Sequence, residues 1–425
     1  MKRWISLLLT AVLLLTLVGC GSDDFDFSDF VEETPEYTTH SRVTIPSMPS
    51  YSYESPTTTK RTTVTRYTYP TYTSPTRYTY PSYTTRPTTT TRYTTSTTKP
   101  VVSHPKFSSL VALRDYMTAQ IESDILKFTF DYTGEQLSAR LIAQMTSSCC
   151  VSLNQNGTVY TVTIYEYPGD RIVDAYRSGD SSKLNSAERT AMNKALQLVK
   201  EAKAKASGTF ELEVLLHDVL CDMITYDDHT RDVPDPYNPP RNLTVVGALL
   251  DGRANCQGYA DAFYTLASIA GFKVSRMYTY TPNDLHVVNT VYLNNAWYVV
   301  DVTFDDTNDD ERNYRLFNAG ADVIREYAWH PEMEMHPIAK TSGVAYYYNY
   351  TNSTYTSMQT MANAIAAAWS KNGSTVIRTM LKNNTDGNAL NAMLKSALDK
   401  TGKRYSYQYR YYQNGRDTFY TVKFN

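Results

Sequence analysis

The stretch "DGRANCQGYADAF" (251–263) sets one cysteine between a polar turn and an apolar run. A thiol at the start of a helix can serve as a nucleophile. Unpaired backbone N–H groups and the positive end of the helix dipole favour a thiolate there. The same donors can stabilise an oxyanion on an acyl carbon. From Cys256 the apolar positions run Tyr259, Ala260, Phe263, Leu266, Ala267 and Ala270. That period predicts a helix with Asn255 as N-cap, Cys256 in the first turn on the inward face, and Gly271 as the stop.

A thiolate needs a proton partner. His286 opens "HVVNTVYLNNAWYVVDVTF" (286–304), which reads as two strands joined at Asn294-Asn295. In that register His286 lies opposite Thr303, and Asp301 becomes its diagonal neighbour on the same face. A carboxylate so placed orients the imidazole and stabilises its charged form. Each residue alone would ordinarily be core or strand-end material. Taken in order, they form the parts of a nucleophile, a base and an orienting acid.

The positioning elements can also be read. "ELEVLLHDVLCDMITYDD" (211–228) predicts an amphipathic helix with Leu212, Leu215, Leu216, Val219, Leu220 and Met223 on its apolar side. Before it, "NSAERTAMNKALQLVKEAKAKA" (185–206) predicts one long helix leading into the middle of the chain.

With "FELEVLLHDVL", "GALLDGRANCQGYADAF", "HVVNTVYLNNAWY" and "VDVTFDD" in place, residues 208–340 resemble the transglutaminase-like superfamily. The resemblance implies an α+β, papain-like core: a helix carrying Cys256 packed on an antiparallel sheet carrying His286 and Asp301. It implies Cys256 as nucleophile, His286 as general base and acid, and Asp301 as the residue orienting the imidazole. It requires no cofactor and no metal. Many members carry Trp two residues after the histidine, where this chain has Val288, so packing over the acyl pocket should differ. The family includes cross-linkers, peptidases, deamidating enzymes and inert scaffolds.

Around this core the sequence predicts two small modules. In 106–207, "SLVALRDYMTAQIES" and "EQLSARLIAQM" are helical in period, "LKFTFDY" alternates like a strand, and "CCVSLNQNGTVYTVTIYEY" reads as a hairpin over Asn156-Gly157. Residues 345–425 repeat the order and close on a hairpin over Asn414-Gly415. Both read as α-β-α-β-β, which predicts a duplicated module.

The chain begins "MKRWISLLLTAVLLLTLVGCGS". A short basic start and an apolar run too brief to span a bilayer read as an export signal, residues 1–20. Leu17-Val18-Gly19-Cys20 resembles a bacterial lipobox, which implies lipid on Cys20 and an extracytoplasmic, membrane-anchored protein. Residues 21–105 then read as a stalk. An acidic stretch (21–36) gives way to a Thr/Tyr/Pro-rich one with near repeats at 65–75 and 76–87 and almost no aliphatic residues to bury. Extended, such a stalk could reach roughly 200 Å. Its basic, Tyr-rich strip also offers a surface for anionic wall polymer.

Other features point to no further chemistry. The net charge of −2 gives no general attraction to nucleic acid, and no nucleic-acid, phosphate or dinucleotide motif is present. "DDTNDDE" (305–311) lacks the glycine and closing glutamate of a calcium loop and reads as a solvated acidic loop. Cys149, Cys150 and Cys221 read as buried apolar residues, with a Cys221 disulfide to one of the pair left open. The histidines at 217, 229, 330 and 336 show no metal-ligand spacing.

The functional expectation is a surface-anchored, cysteine-dependent acyl transfer or hydrolysis on peptide or side-chain amides. Its substrates would be cell-surface proteins or wall peptides. The alternative is a non-catalytic surface-binding or adhesion module on the same scaffold.

Overall fold

The computed structural model describes residues 104–148, 150–227, 238–280, 285–306, 312–324, 336–384, 386–414 and 416–425, together with the backbone of one strand, β1 (Thr63–Arg66). Cys20, the acidic stretch 21–36, Cys149, His229, His330, Gly415 and residues 307–311 lie outside them. Among the described residues no helix is long and apolar enough to cross a membrane.

The first module comprises β2 (Lys106–Phe107), α1 (Leu110–Glu122), β3 (Lys127–Tyr132), α2 (Ala139–Thr146), β4 (Val151–Asn156) and β5 (Val159–Ile164). Its sheet runs β2-β3-β5-β4, with β2 parallel to β3 and the other pairings antiparallel. Strand alternation puts Phe128, Phe130, Tyr132, Tyr160 and Val162 onto Leu113, Met117 and Ile142 of the two helices. After it come α3 (Pro168–Ser178), which the sequence reading did not anticipate, and the long α4 (Ser186–Lys205), capped by Asn185 and Glu188 as a capping box.

The middle of the chain holds α5 (Thr209–Met223), β6 (Thr225–Tyr226), a π-helical turn (Gly247–Asp251), β7 (Arg253–Ala254), α6 (Cys256–Ala270), β8 (Val274–Tyr280), β9 (Leu285–Leu293), β10 (Ala296–Val300), α7 (Val302–Asp305) and β11 (Phe317–Ala319). The sheet order β11-β10-β9-β8 is antiparallel throughout. The result is the α+β, papain-like arrangement expected: the cysteine helix packed on a four-stranded antiparallel sheet, with α4 and α5 also against that helix.

The last module adds α8 (Tyr347–Tyr350), β12 (Thr354–Tyr355), α9 (Met358–Asn372), β13 (Val376–Leu381), α10 (Leu390–Asp399), β14 (Tyr407–Asn414) and β15 (Asp417–Phe424). Its sheet runs β12-β13-β15-β14, with β12 parallel to β13. That is the order and sense of the first module's sheet. Both modules therefore share the α-β-α-β-β order and an extra short parallel strand at the same edge.

Three expectations need correction. The buried face of α5 is Phe210, Glu213, Val214, Leu216, His217, Leu220 and Cys221, while Leu212, Leu215, Val219 and Met223 are only partly covered. Hydrophobicity alone mis-aimed the helix, because Glu213 and His217 are buried on polar partners rather than exposed. Asp305 is fully buried and Asp306 bonds Tyr259, so the start of 305–311 is not a solvated loop. Finally, β1 forms within the stretch expected to lack structure: its β-branched Thr63 and Val64 pair in parallel with the open edge of β14.

Candidate active site

The turn before Cys256 is built by backbone geometry. Gly252 takes a left-handed φ of 64°, reversing the chain out of the π-helical turn. Asn255 caps α6 as expected, its Oδ1 accepting from Gln257 N at 3.0 Å and Gly258 N at 3.3 Å. At Gly258 a Cβ would come within 2.5 Å of Asn242 O, so only glycine lets the helix start lie this close to that loop. The cap corrects one expectation: two of the N–H donors available to an oxyanion serve Asn255 instead. The N–H of Cys256 itself has no hydrogen-bond partner among the described residues.

Helix α6 is nearly covered on every side, with 13 of its 15 residues buried, and it stops at Gly271 in a left-handed conformation. Asp261 locks it to the first half of the chain. Its carboxylate accepts from Val245 N at 2.8 Å and Gly169 N at 3.2 Å and pairs with Arg276, which also pairs with Asp170. Burial pushes the Asp261 carboxyl up to about 6 even with Arg276 beside it. Cys256 alone of the free cysteines described is partly accessible, whereas Cys150 and Cys221 are buried thiols, not bonded to each other.

His286 and Asp301 meet, though not across a ladder. The hairpin over Asn294 and Asn295, both at positive φ, has the expected register through Val300. There β10 ends, and Thr303 belongs to α7 rather than to a strand. The reason is Asp301 itself: its Oδ1 accepts from Phe304 N at 3.1 Å and caps α7. Its Oδ2 stands 2.8 Å from His286 Nε2. The same imidazole is hydrogen-bonded to the Cys256 side chain. Burial disfavours the imidazolium, but the Asp301 carboxylate and the Cys256 sulfur outweigh it and push the pKa up to about 10.

Phe304 went unnoticed in the sequence. Its ring stacks on the imidazole with centroids 4.4 Å apart and 15° between planes. An aromatic cover is thus supplied from α7, at a position where Val288 supplies none. Tyr259, one turn after Cys256, was read only as an apolar position. Its hydroxyl lies 2.5 Å from Asp306 Oδ2, joining the cysteine helix to the end of α7. A polar cleft of about 500 Å3 lined by Asp322, Tyr346, Lys382 and Arg416 lies elsewhere, between the middle of the chain and the last module.

A cysteine at a helix start, an imidazole hydrogen-bonded to its side chain and a carboxylate behind the imidazole thus meet on a papain-like core. Residues 196–302 match the model of the transglutaminase-like superfamily. This part of the chain belongs to that superfamily. A comparison with curated proteins found no match. Among solved structures, the chain is similar to a crystal structure of a TGase at 15% identity and a TM-score of 0.25, over 43% of this chain and 52% of that one. It is also similar to the periplasmic domain of TgpA from Pseudomonas aeruginosa, at 13% identity and a TM-score of 0.22, over 34% of this chain and 55% of that one. The chain thus spans a little over half the length of each.

Proposed function

We propose that the chain is a surface-anchored enzyme that opens amide bonds through a thioester on Cys256. The observation that carries this reading is the hydrogen-bonded series Cys256, His286, Asp301 at the start of a buried helix. The Cys256 thiolate attacks the carbonyl carbon of a peptide or side-chain amide. Negative charge collects on the carbonyl oxygen, where the Cys256 N–H is a ready donor. As the C–N bond breaks, His286 gives its proton to the departing nitrogen. The acyl group remains on sulfur. Water or an amine then attacks the thioester, His286 takes back a proton, and the thiolate leaves. Water gives hydrolysis, and an amine gives cross-linking.

The test is incubation of the purified protein with an amide-mimicking electrophile, followed by mass identification of the modified residue. Label on Cys256 that disappears in Cys256→Ala supports the reading, and label distributed over the other cysteines contradicts it.

Anchoring belongs to the same proposal. The "LVGC" ending at Cys20 would carry lipid and hold the site outside the cytoplasmic membrane, within reach of wall peptides or neighbouring surface proteins. Cys20→Ala is expected to move the protein from the membrane fraction to the soluble one. A variant still bound after salt washing would refute the anchor.

A further inference from the structure

The carboxylate that holds His286 is carried by the edge of a one-turn helix. A helix of four residues cannot maintain itself in isolation, so α7 must be fixed from outside. One fixture is the Leu316 peptide: Asp301 N donates to Leu316 O at 3.1 Å, and Leu316 N donates to Asp305 Oδ1 at 3.2 Å. A second is the Tyr259–Asp306 bond. The third is a histidine that the chemistry above does not use.

His217 lies on α5, wholly buried. Its Nδ1 is 3.0 Å from Asp218 Oδ1, and its Nε2 is 3.5 Å from Asp305 Oδ2. Both ring nitrogens face carboxylates, Nδ1 at hydrogen-bond distance and Nε2 at ion-pair distance without a hydrogen bond, a setting that suits the imidazolium. Cys221 Sγ is 3.8 Å from Nδ1 on the same helix. From the segment after α7, Tyr314 and Phe317 pack on the ring with centroids 5.3 Å away. Tyr314 OH donates to Asp218 at 2.7 Å, and Arg312 stands 3.4 Å from the same carboxylate. Asp306 and, from α8, Tyr347 complete the charged and titratable surroundings. Burial opposes charge on His217, but Cys221, Asp218 and Asp305 outweigh it and keep the ring protonated well above its ordinary range.

We propose that His217 is a positioning residue for the Cys256 reaction: it anchors the Asp305 end of α7 so that the Asp301 end keeps its carboxylate on His286. The proposal rests on the functional reading above. Removing the cation leaves the buried Asp305 carboxylate with the Leu316 amide and the charge of Arg315 but without its ion-pair partner on α5, and the nearest relief is for α7 to turn toward water. That turn carries Asp301 away from Nε2.

The experiment compares wild type, His217→Gln, Asp305→Asn and the double variant as full chains, using two readouts. One is the rate of iodoacetamide labelling of Cys256. The other is the pH midpoint of the His286 ring followed by nitrogen-15 NMR. In His217→Gln, labelling at pH 7 is expected to slow about tenfold, as for a small misplacement of a catalytic group. The His286 midpoint is expected to fall toward its ordinary value of about 6.5. The double variant should recover most of both, since Gln and Asn can bond without a stranded charge.

A folded His217→Gln chain with an unmoved His286 midpoint overturns the proposal, even if it melts earlier, because that is a purely structural role. If His217→Gln does not fold, Asp305→Asn alone is read the same way: a lowered midpoint supports the proposal and an unmoved one overturns it. Labelling that ignores His286→Ala would instead refute the thioester reading. The midpoint would still report on His217.

Discussion

His286→Ala is expected to slow alkylation of Cys256 at pH 7 by about a hundredfold, the lower end of what a positioned acid–base partner contributes. The imidazole is the acid–base group that the described geometry places on the sulfur, and His286→Ala removes it. In wild type at about pH 6, Cys256 should react well before Cys150 or Cys221, both of which are buried. Asp301→Asn should slow the reaction less, because the ring remains beside the sulfur but loses its orienting charge. Rates are read by intact mass and peptide mapping. Equal reactivity of Cys256 with and without His286 would mean a scaffold that keeps the fold without turnover.

The second large effect is on stability against pH, and it is cleanest in a Cys256→Ala chain, where no thiol stands beside the His286 ring. His286 has a folded pKa raised to about 10, and the unfolded ring titrates near its ordinary value of about 6.5. A raised folded pKa means stability that is fully present below about 6.5 and is lost as pH rises through the folded value. That value is somewhat lower without the sulfur, which supplies part of the rise. The melting temperature should therefore fall steadily above neutrality. Adding Asp301→Asn should flatten much of that slope. His217, with its own raised pKa, contributes a slope of the same sign to both chains and cancels in the comparison. Asp301→Ala should cost about a further 1 kcal/mol by uncapping α7. Parallel pH profiles for the two chains would show that His286 is not held charged by Asp301.

Much of this site was legible because its signals are local. The N-cap Asn255, the period of α6, the stop at Gly271 and the Asn294-Asn295 hairpin each follow from a few neighbouring residues. The duplicated module order was legible for the same reason. What escaped depends on long-range pairing. The inward turn of His217 and Glu213 could not be read from α5, because their partners, Asp305 and Asn318, lie about ninety residues or more further along. The register argument brought His286 and Asp301 together but assigned the wrong local structure: a carboxylate that caps a helix ends the strand that was expected to continue. The signal was there in "DVTF", where an aspartate stands three residues before a backbone N–H it can accept.

The burial of α6 also has a consequence for how the protein fails. A helix covered on nearly all sides, tied by Asp261 to α3 and β8 and by Tyr259 to the chain beyond α7, should resist partial opening of its amides. Its backbone deuterium uptake should occur only through complete unfolding of this part of the chain. Loosening of the last module would then leave the start of α6 in place, and the Cys256 side chain should become fully exposed with loss of the whole core rather than before it.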